Sequence, residues 1–147
     1  SYNRLSLLKK TLESLNNTTI KFDLTIIDAS TDQATIDYLA TRNDVVYLPK
    51  SNVGQAMNYA AELVKNSPHK YGLITADDYL YNPLWLEILL NFWNQAPEEI
   101  KLCCCNFEPS YQWNTTKELY IYGNHQYAFI RDSIPGSNWS FRTEDIK

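Results

Sequence analysis

Leucines at positions 5, 8, 12 and 15 recur at three- and four-residue spacing, which predicts an amphipathic helix over residues 4–16 with one core-facing stripe. The run Phe22-Asp23-Leu24-Thr25-Ile26-Ile27 predicts a buried strand, and it ends in Asp28-Ala29-Ser30-Thr31-Asp32. A short helix over residues 34–40 follows, then a strand at Val45-Val46-Tyr47-Leu48. Asn52-Val53-Gly54-Gln55-Ala56-Met57-Asn58 opens a third helix, whose apolar positions are Ala56, Ala60, Ala61, Leu63 and Val64. Residues 71–75 predict another strand. Residues 83–93 form a helix apolar almost all round and therefore well buried, with Asn82 as its cap and Pro83 at its first position. Strand, helix, strand, helix, strand implies an α/β fold with parallel pairing. In such sheets ligands collect beyond the carboxyl ends of the strands.

After residue 98 the pattern changes. Residues 100–106, 119–122, 127–131 and 139–142 are short strand candidates separated by Pro, Gly and Asn, with no helix between them. No repeat or low-complexity segment interrupts the chain. At 147 residues, 44% of them hydrophobic, there is enough apolar surface for one sizeable core and not two, so residues 1–147 read as a single domain. The net charge is −4, and no basic run could neutralise a nucleic-acid backbone or coat an anionic membrane; nucleic acid is not expected as a partner. No stretch approaches the ~20 apolar residues of a membrane span. Cys103-Cys104-Cys105 lie in an apolar strand whose side chains alternate faces, so they cannot converge on one metal. They read as buried thiols of a reducing compartment, which points to the cytoplasm. Three sequons, at Asn17, Asn114 and Asn138, are tripeptides common by chance in such a chain and do not decide compartment.

The chemistry is concentrated in two acidic turns. Thr75-Ala76-Asp77-Asp78 stands where a strand gives way to Tyr79-Leu80-Tyr81-Asn82-Pro83 and a helix. Two adjacent carboxylates on a strand end offer hard oxygen ligands of the kind that hold Mg2+ or Mn2+, with the remaining positions kept for water and phosphate oxygens. The other reading of the same residues is a solvated turn before a capped helix. Asp28 ends the earlier strand, so Asp28 and Asp77-Asp78 should face one crevice.

Read in order, Tyr2-Asn3-Arg4, Asp28-Ala29-Ser30-Thr31-Asp32, Asn52-Val53-Gly54 with Asn58, and Asp77-Asp78 resemble the motifs of the family 2 glycosyltransferases of the GT-A fold. These carry a Tyr-Asn-Arg start, an Asp-x-Ser-x-Asp turn, an Asn-x-Gly helix entry and an Asp-rich metal turn. The resemblance runs from Ser1 to about Arg142 and is weakest between Cys103 and Gln126. It departs from the common Asp-x-Asp at Thr75, where the first carboxylate has no counterpart; in members with an adjacent Asp pair the second Asp is the expected metal ligand. The implied architecture is a Rossmann-like three-layer sandwich, a mostly parallel central sheet with helices on both faces. Residues 1–98 would form the donor-binding half and residues 99–147 the start of the acceptor-side half. The resemblance also implies an apolar strand immediately before Tyr2, in the middle of the sheet, and a catalytic acidic segment after the strand represented by residues 139–142. Both would lie outside Ser1 to Lys147.

The activity implied is transfer of a sugar from a nucleotide-diphosphate donor, a UDP- or dTDP-sugar, to a glycan or other hydroxyl acceptor, with Mn2+ or Mg2+ as cofactor and inversion at the anomeric carbon. Asp78, with Asp77, would hold the metal, and Asp77 would touch the ribose or the sugar. Tyr2 would lie against the base and Asp28 would accept a hydrogen bond from its N–H. Ser1, Asn3, Arg4, Ser30, Asn52, Gly54 and Asn58 complete the donor-binding set. For Tyr2 the other reading is a packed aromatic, for Arg4 a solvated helix-start cation, and for Asn52 and Gly54 a helix cap with a permissive backbone. Asp145 is a weak candidate base, since Glu144-Asp145 also reads as the first turn of a helix, where acidic residues favour the dipole. His69 reads as a surface loop residue and His125 as an acceptor-side candidate. Two rival functions stand beside this one. A non-catalytic GT-A-like domain could bind a nucleotide sugar or glycan, with Tyr111, Trp113, Tyr120, Tyr122 and Tyr127 stacking on sugars. A nucleotidyltransferase would share the sheet and the metal, but no Gly-rich phosphate loop stands near the first strand.

Overall fold

A computed structural model describes residues 1–104, 116–122, 126–131 and 138–146, the side chains of 104, 116–122 and 126–131 excepted. The leucine stripe forms α1 (Leu5–Asn16), with Leu8, Thr11, Leu12 and Leu15 buried. This helix joins two apolar clusters. Leu8 and Leu12 pack with Ile26 and Leu39, whereas Leu15 packs with Trp85, Leu89, Phe92 and Trp93. Each buried leucine contributes roughly 1.5–3 kcal/mol, so α1 ties the halves of the core together.

β1 (Ile26–Asp28) and β2 (Val45–Tyr47) pair in parallel, Ile26 opposite Val45 and Asp28 opposite Tyr47, with α2 (Gln33–Ala40) as the connection. β1 is shorter than its apolar run. The first ladder bond is Ile26 N–H to Asp44 O, so Phe22 and Leu24 pack against the core without a strand partner. On the other edge of β1 the Ser1 nitrogen donates to Ile27 O and Ala29 N–H donates to Ser1 O at 2.9 Å, the alternation of a parallel neighbour.

α3 (Val53–Lys65) leads to β3 (Tyr71–Ile74), and they meet at Gly72. A Cβ there would run into the Val64 side chain and come within 2.9 Å of Phe141 Cε2, so only glycine permits this approach. Among the described residues β3 takes no parallel partner. It pairs antiparallel with β7 (Trp139–Arg142), which pairs antiparallel with β4 (Cys103–Cys104), while β5 (Thr116–Tyr122) and β6 (Gln126–Arg131) form a separate antiparallel hairpin. Among the described strands only β1 and β2 are parallel, and no ladder joins them to β3. The protein is thus an α/β fold whose described sheets are small.

α4 (Trp85–Gln95) starts two residues later than its apolar run, because Asn82 turns the chain first: its Oδ1 accepts from Leu84 N–H and its carbonyl from Trp85 N–H, both at 2.9 Å. Trp85, Leu89, Phe92 and Trp93 are buried and Asn91, Asn94 and Gln95 are exposed, so the helix is covered on one face and not all round. Cys103 is half-buried against the larger cluster. Cys105, Tyr111, Trp113, Asn114 and His125 lie outside the described residues, as do the side chains of Cys104, Tyr120, Tyr122 and Tyr127.

Candidate functional site

Asp28 ends β1 at 1% exposure, and its carboxylate is held by the next turn. Ser30 Oγ donates to Asp28 Oδ1 at 2.7 Å and Ser30 N–H to Oδ2 at 3.2 Å. The Ser30 hydroxyl in turn accepts the Asn3 N–H at 2.9 Å. Asn3 sits in the left-handed region, φ 53°, which asparagine tolerates better than most residues. That conformation aims its side chain at the same turn. Asn3 Oδ1 accepts from Thr31 N–H at 2.7 Å and Asp32 N–H at 3.1 Å, and Nδ2 donates to Thr31 Oγ1 at 3.0 Å. Asp32 then caps α2 through Thr35 N–H.

The next residue reaches the other acidic turn. Arg4 Nη1 donates to Asp78 Oδ2 at 2.9 Å, and Nη2 pairs with Asp77 Oδ1. The Asp77 side chain is 7% exposed and that of Asp78 41%. Asp77 Oδ2 is buried without a hydrogen-bond partner. Behind this turn the Tyr81 hydroxyl donates to Thr75 Oγ1 at 2.6 Å or to Asn138 Oδ1 at 3.0 Å, so the phenol links the acidic segment to the start of β7. Asn138 is 1% exposed with φ 64°. Sequence reasoning missed this trio; an asparagine directly before a strand, in a position a left-handed residue can fill, is the one signal it carries.

Two open concavities flank β2. One of about 320 Å³ is lined by Asp28, Ile36, Arg42 and Tyr47, among others. Arg42 is clamped on Asp44, Nε to Oδ1 at 2.8 Å and Nη2 to Oδ2 at 2.5 Å, and these hydrogen bonds raise its pKa above the ordinary arginine value. The other, of about 360 Å³, lies where β2 runs into Pro49, Lys50 and Ser51 and is closed by Gln55 and Tyr59 of α3. It opens at the carboxyl edge that also carries Asp28, since Leu48 N–H bonds Asp28 O at 2.7 Å.

Ser1, Asn3, Arg4, Asp28, Ser30, Asp77 and Asp78 are therefore brought together by contacts of the first four residues. Tyr2 is 56% exposed beside them. Asn52 is built into a capping box, its Oδ1 accepting Gln55 N–H and its N–H donating to Gln55 Oε1, each at 2.9 Å; Gly54 and Asn58 follow in the same helix. Asp145 is elsewhere. β7 runs opposite to β3, with Arg142 across from Tyr71, and Thr143 N–H bonds Lys70 O. Asp145 thus lies past the amino end of β3, in a 3-10 turn (Thr143–Asp145) where it pairs with Lys101 Nζ at 2.8 Å. Asp77 lies past the carboxyl end. His69 is an exposed loop residue paired with Asp23 at 2.7 Å.

The donor set of the Asp77-Asp78 turn fits a hard divalent cation in ligand type, and the orphaned Asp77 Oδ2 is a free acceptor within it. Among the described residues no group of three or more His, Cys, Asp or Glu side chains converges on a point, so a cation would complete its shell from water or a bound phosphate. No helix among them is long and apolar enough to cross a membrane. Curated proteins and solved structures yielded no match to the chain. The family model for glycosyl transferase family 2 matches residues 1–146, and the chain belongs to that family.

Proposed function

We propose that the protein transfers a sugar from a nucleoside-diphosphate donor, a UDP- or dTDP-sugar, to a hydroxyl acceptor such as a glycan, with inversion at the anomeric carbon. The observation that carries this reading is the stitching of both acidic turns by Ser1–Arg4: Asn3 organises the turn after Asp28 and Arg4 holds Asp77 and Asp78. A binding edge needs such preorganisation, and an arbitrary surface turn does not. The proposed frame is the three-layer sandwich with a mostly parallel central sheet, residues 1–98 serving the donor and residues 99–147 the acceptor.

Asp28 accepts a hydrogen bond from a base N–H on a lone pair that Ser30 leaves open, since each carboxylate oxygen can accept more than one. Tyr2, already exposed, covers the base. Asp77 takes a ribose or sugar hydroxyl, and Ser1, Asn52, Gly54 and Asn58 complete the edge. Asp78 with Asp77 holds Mn2+ or Mg2+, which when bound supplies positive charge to the departing diphosphate. The anomeric C–O bond breaks with its electron pair kept by the diphosphate, and the acceptor oxygen forms the new bond while its proton passes to a carboxylate. We assign that role to neither Glu144 nor Asp145, which follow β7 at the end of β3 remote from Asp77. Calorimetric titration with UDP is the test. Binding should require Mn2+ or Mg2+ in the wild type and be lost in Asp78→Asn without loss of the folded circular-dichroism spectrum. Equal affinity in the two proteins would remove Asp78 from the site.

A further inference from the structure

We infer that Arg4 is an internal counter-ion of the cation site, which a divalent cation must displace, and that the displaced guanidinium then serves the donor diphosphate. The inference rests on the assignment of Asp77 and Asp78 as cation ligands. Arg4 engages one oxygen of each carboxylate, Asp78 Oδ2 at 2.9 Å and Asp77 Oδ1. A cation held by Asp77 and Asp78 would compete with the guanidinium for the negative charge of the same two carboxylates.

Arg4 has no helix-building reason for its place. It is the N-cap of α1, its guanidinium has no acceptor to offer the first-turn N–H groups, and it puts positive charge at the helix end where the dipole disfavours it. The pairing with Asp77 and Asp78 answers that misplaced charge, and it also answers a carboxylate that is 7% exposed. The guanidinium can nevertheless leave. Its side chain is 43% exposed, and the backbone of Arg4 stays fixed, because its carbonyl accepts from Leu7 N–H and Leu8 N–H at 3.0 and 2.9 Å. Swinging out breaks no core contact. A freed guanidinium has the planar fork that binds phosphate oxygens in pairs. Loading the site is therefore an exchange of partners: the carboxylates pass from guanidinium to cation, and the guanidinium passes from carboxylates to diphosphate.

The exchange separates two affinities that a plain metal site would move together. Mn2+ binding without nucleotide should tighten about tenfold in Arg4→Gln, because no hydrogen-bonded cation then competes for the oxygens, while UDP affinity at saturating Mn2+ should weaken about tenfold. Arg4→Lys, which keeps the charge but not the fork, should fall between on both counts. Free Mn2+ is read by its electron paramagnetic resonance signal and UDP by calorimetry, on the full 147-residue chain with circular dichroism as the check on folding. If Arg4→Gln does not fold, Arg4→Lys alone decides the matter by the same two opposite shifts. Mn2+ affinity that is unchanged or weaker in the Arg4 variants, with Asp78→Asn still losing Mn2+, overturns the counter-ion role and leaves the cation site standing. No Mn2+ binding by the wild type and Arg4→Gln alike overturns both.

Discussion

Arg4 and Arg142 stand at opposite ends of the strand pair β3–β7, each near an acidic pair, and they do different work. Arg142 is 9% exposed at its side chain. Its guanidinium donates to Ile100 O and Ala96 O at 2.8 Å and to Pro97 O at 3.3 Å, and lies 4.9 Å from the Trp93 ring, while Asp145 is 3.8 Å away. Its principal partners are main-chain carbonyls at and after the end of α4, which need donors wherever the helix stops. Arg4 is half-exposed and bonded to carboxylates, groups that other cations can take. The difference is that backbone carbonyls hold one arginine beside its acids, whereas only side-chain carboxylates hold the other, which is what the proposed exchange requires.

The largest effect should come from removing the backbone-bound member. Arg142→Ala leaves the Ala96 and Ile100 carbonyls without their donor and should cost about 2–4 kcal/mol in urea denaturation, while UDP affinity of the folded protein stays unchanged. Wild-type stability in this variant would erase the distinction between the two ends. Ser30→Ala tests the site end from within. Ser30 is fully buried between Asn3 N–H and Asp28 Oδ1, so its loss should lower stability by about 1–2 kcal/mol and weaken UDP binding as well; stability loss with UDP affinity intact would detach the Asp28 turn from donor binding. The smallest effect belongs to Asp145→Asn. Its contact with Lys101 is a pair whose lysine is well exposed, and the change should stay under about 1 kcal/mol with no change in UDP binding. A marked fall in nucleotide affinity there would mean that the acid past the amino end of β3 serves the site after all.

What could be read from the residues follows how local each signal is. The leucine stripe of α1 and the span of β7 came through, since both depend on periodicity within a dozen residues or fewer. β1 came out shorter because a ladder needs a partner, and β2 supplies three residues. Parallel pairing is present between β1 and β2, while the described neighbour of β3 is antiparallel and comes from about seventy residues later. The acidic turns were visible as composition at strand ends. Their connection through Arg4 was not, because nothing in the spacing of residue 4 and residues 77–78 marks a contact. The same is true of Tyr81, Thr75 and Asn138, three ordinary polar residues whose shared hydrogen bonds exist only after β7 is laid beside β3.

The helix beginnings near the acidic turns bear on which anions the protein will ignore. Asp32 caps α2, and Asn3 takes the two amides just before it; Asn52 and Gln55 satisfy each other at the start of α3. Of the backbone amides that commonly cradle phosphate at a helix start, one at each place is thus already taken by the cap, Thr35 N–H at α2 and Gln55 N–H at α3. Inorganic phosphate or sulfate drifting onto this edge meets a partly filled set of donors, and a ligand that also brings a base, a sugar or a cation has more to hold it. A partly capped main chain shifts the weight of recognition toward side chains, which can rotate.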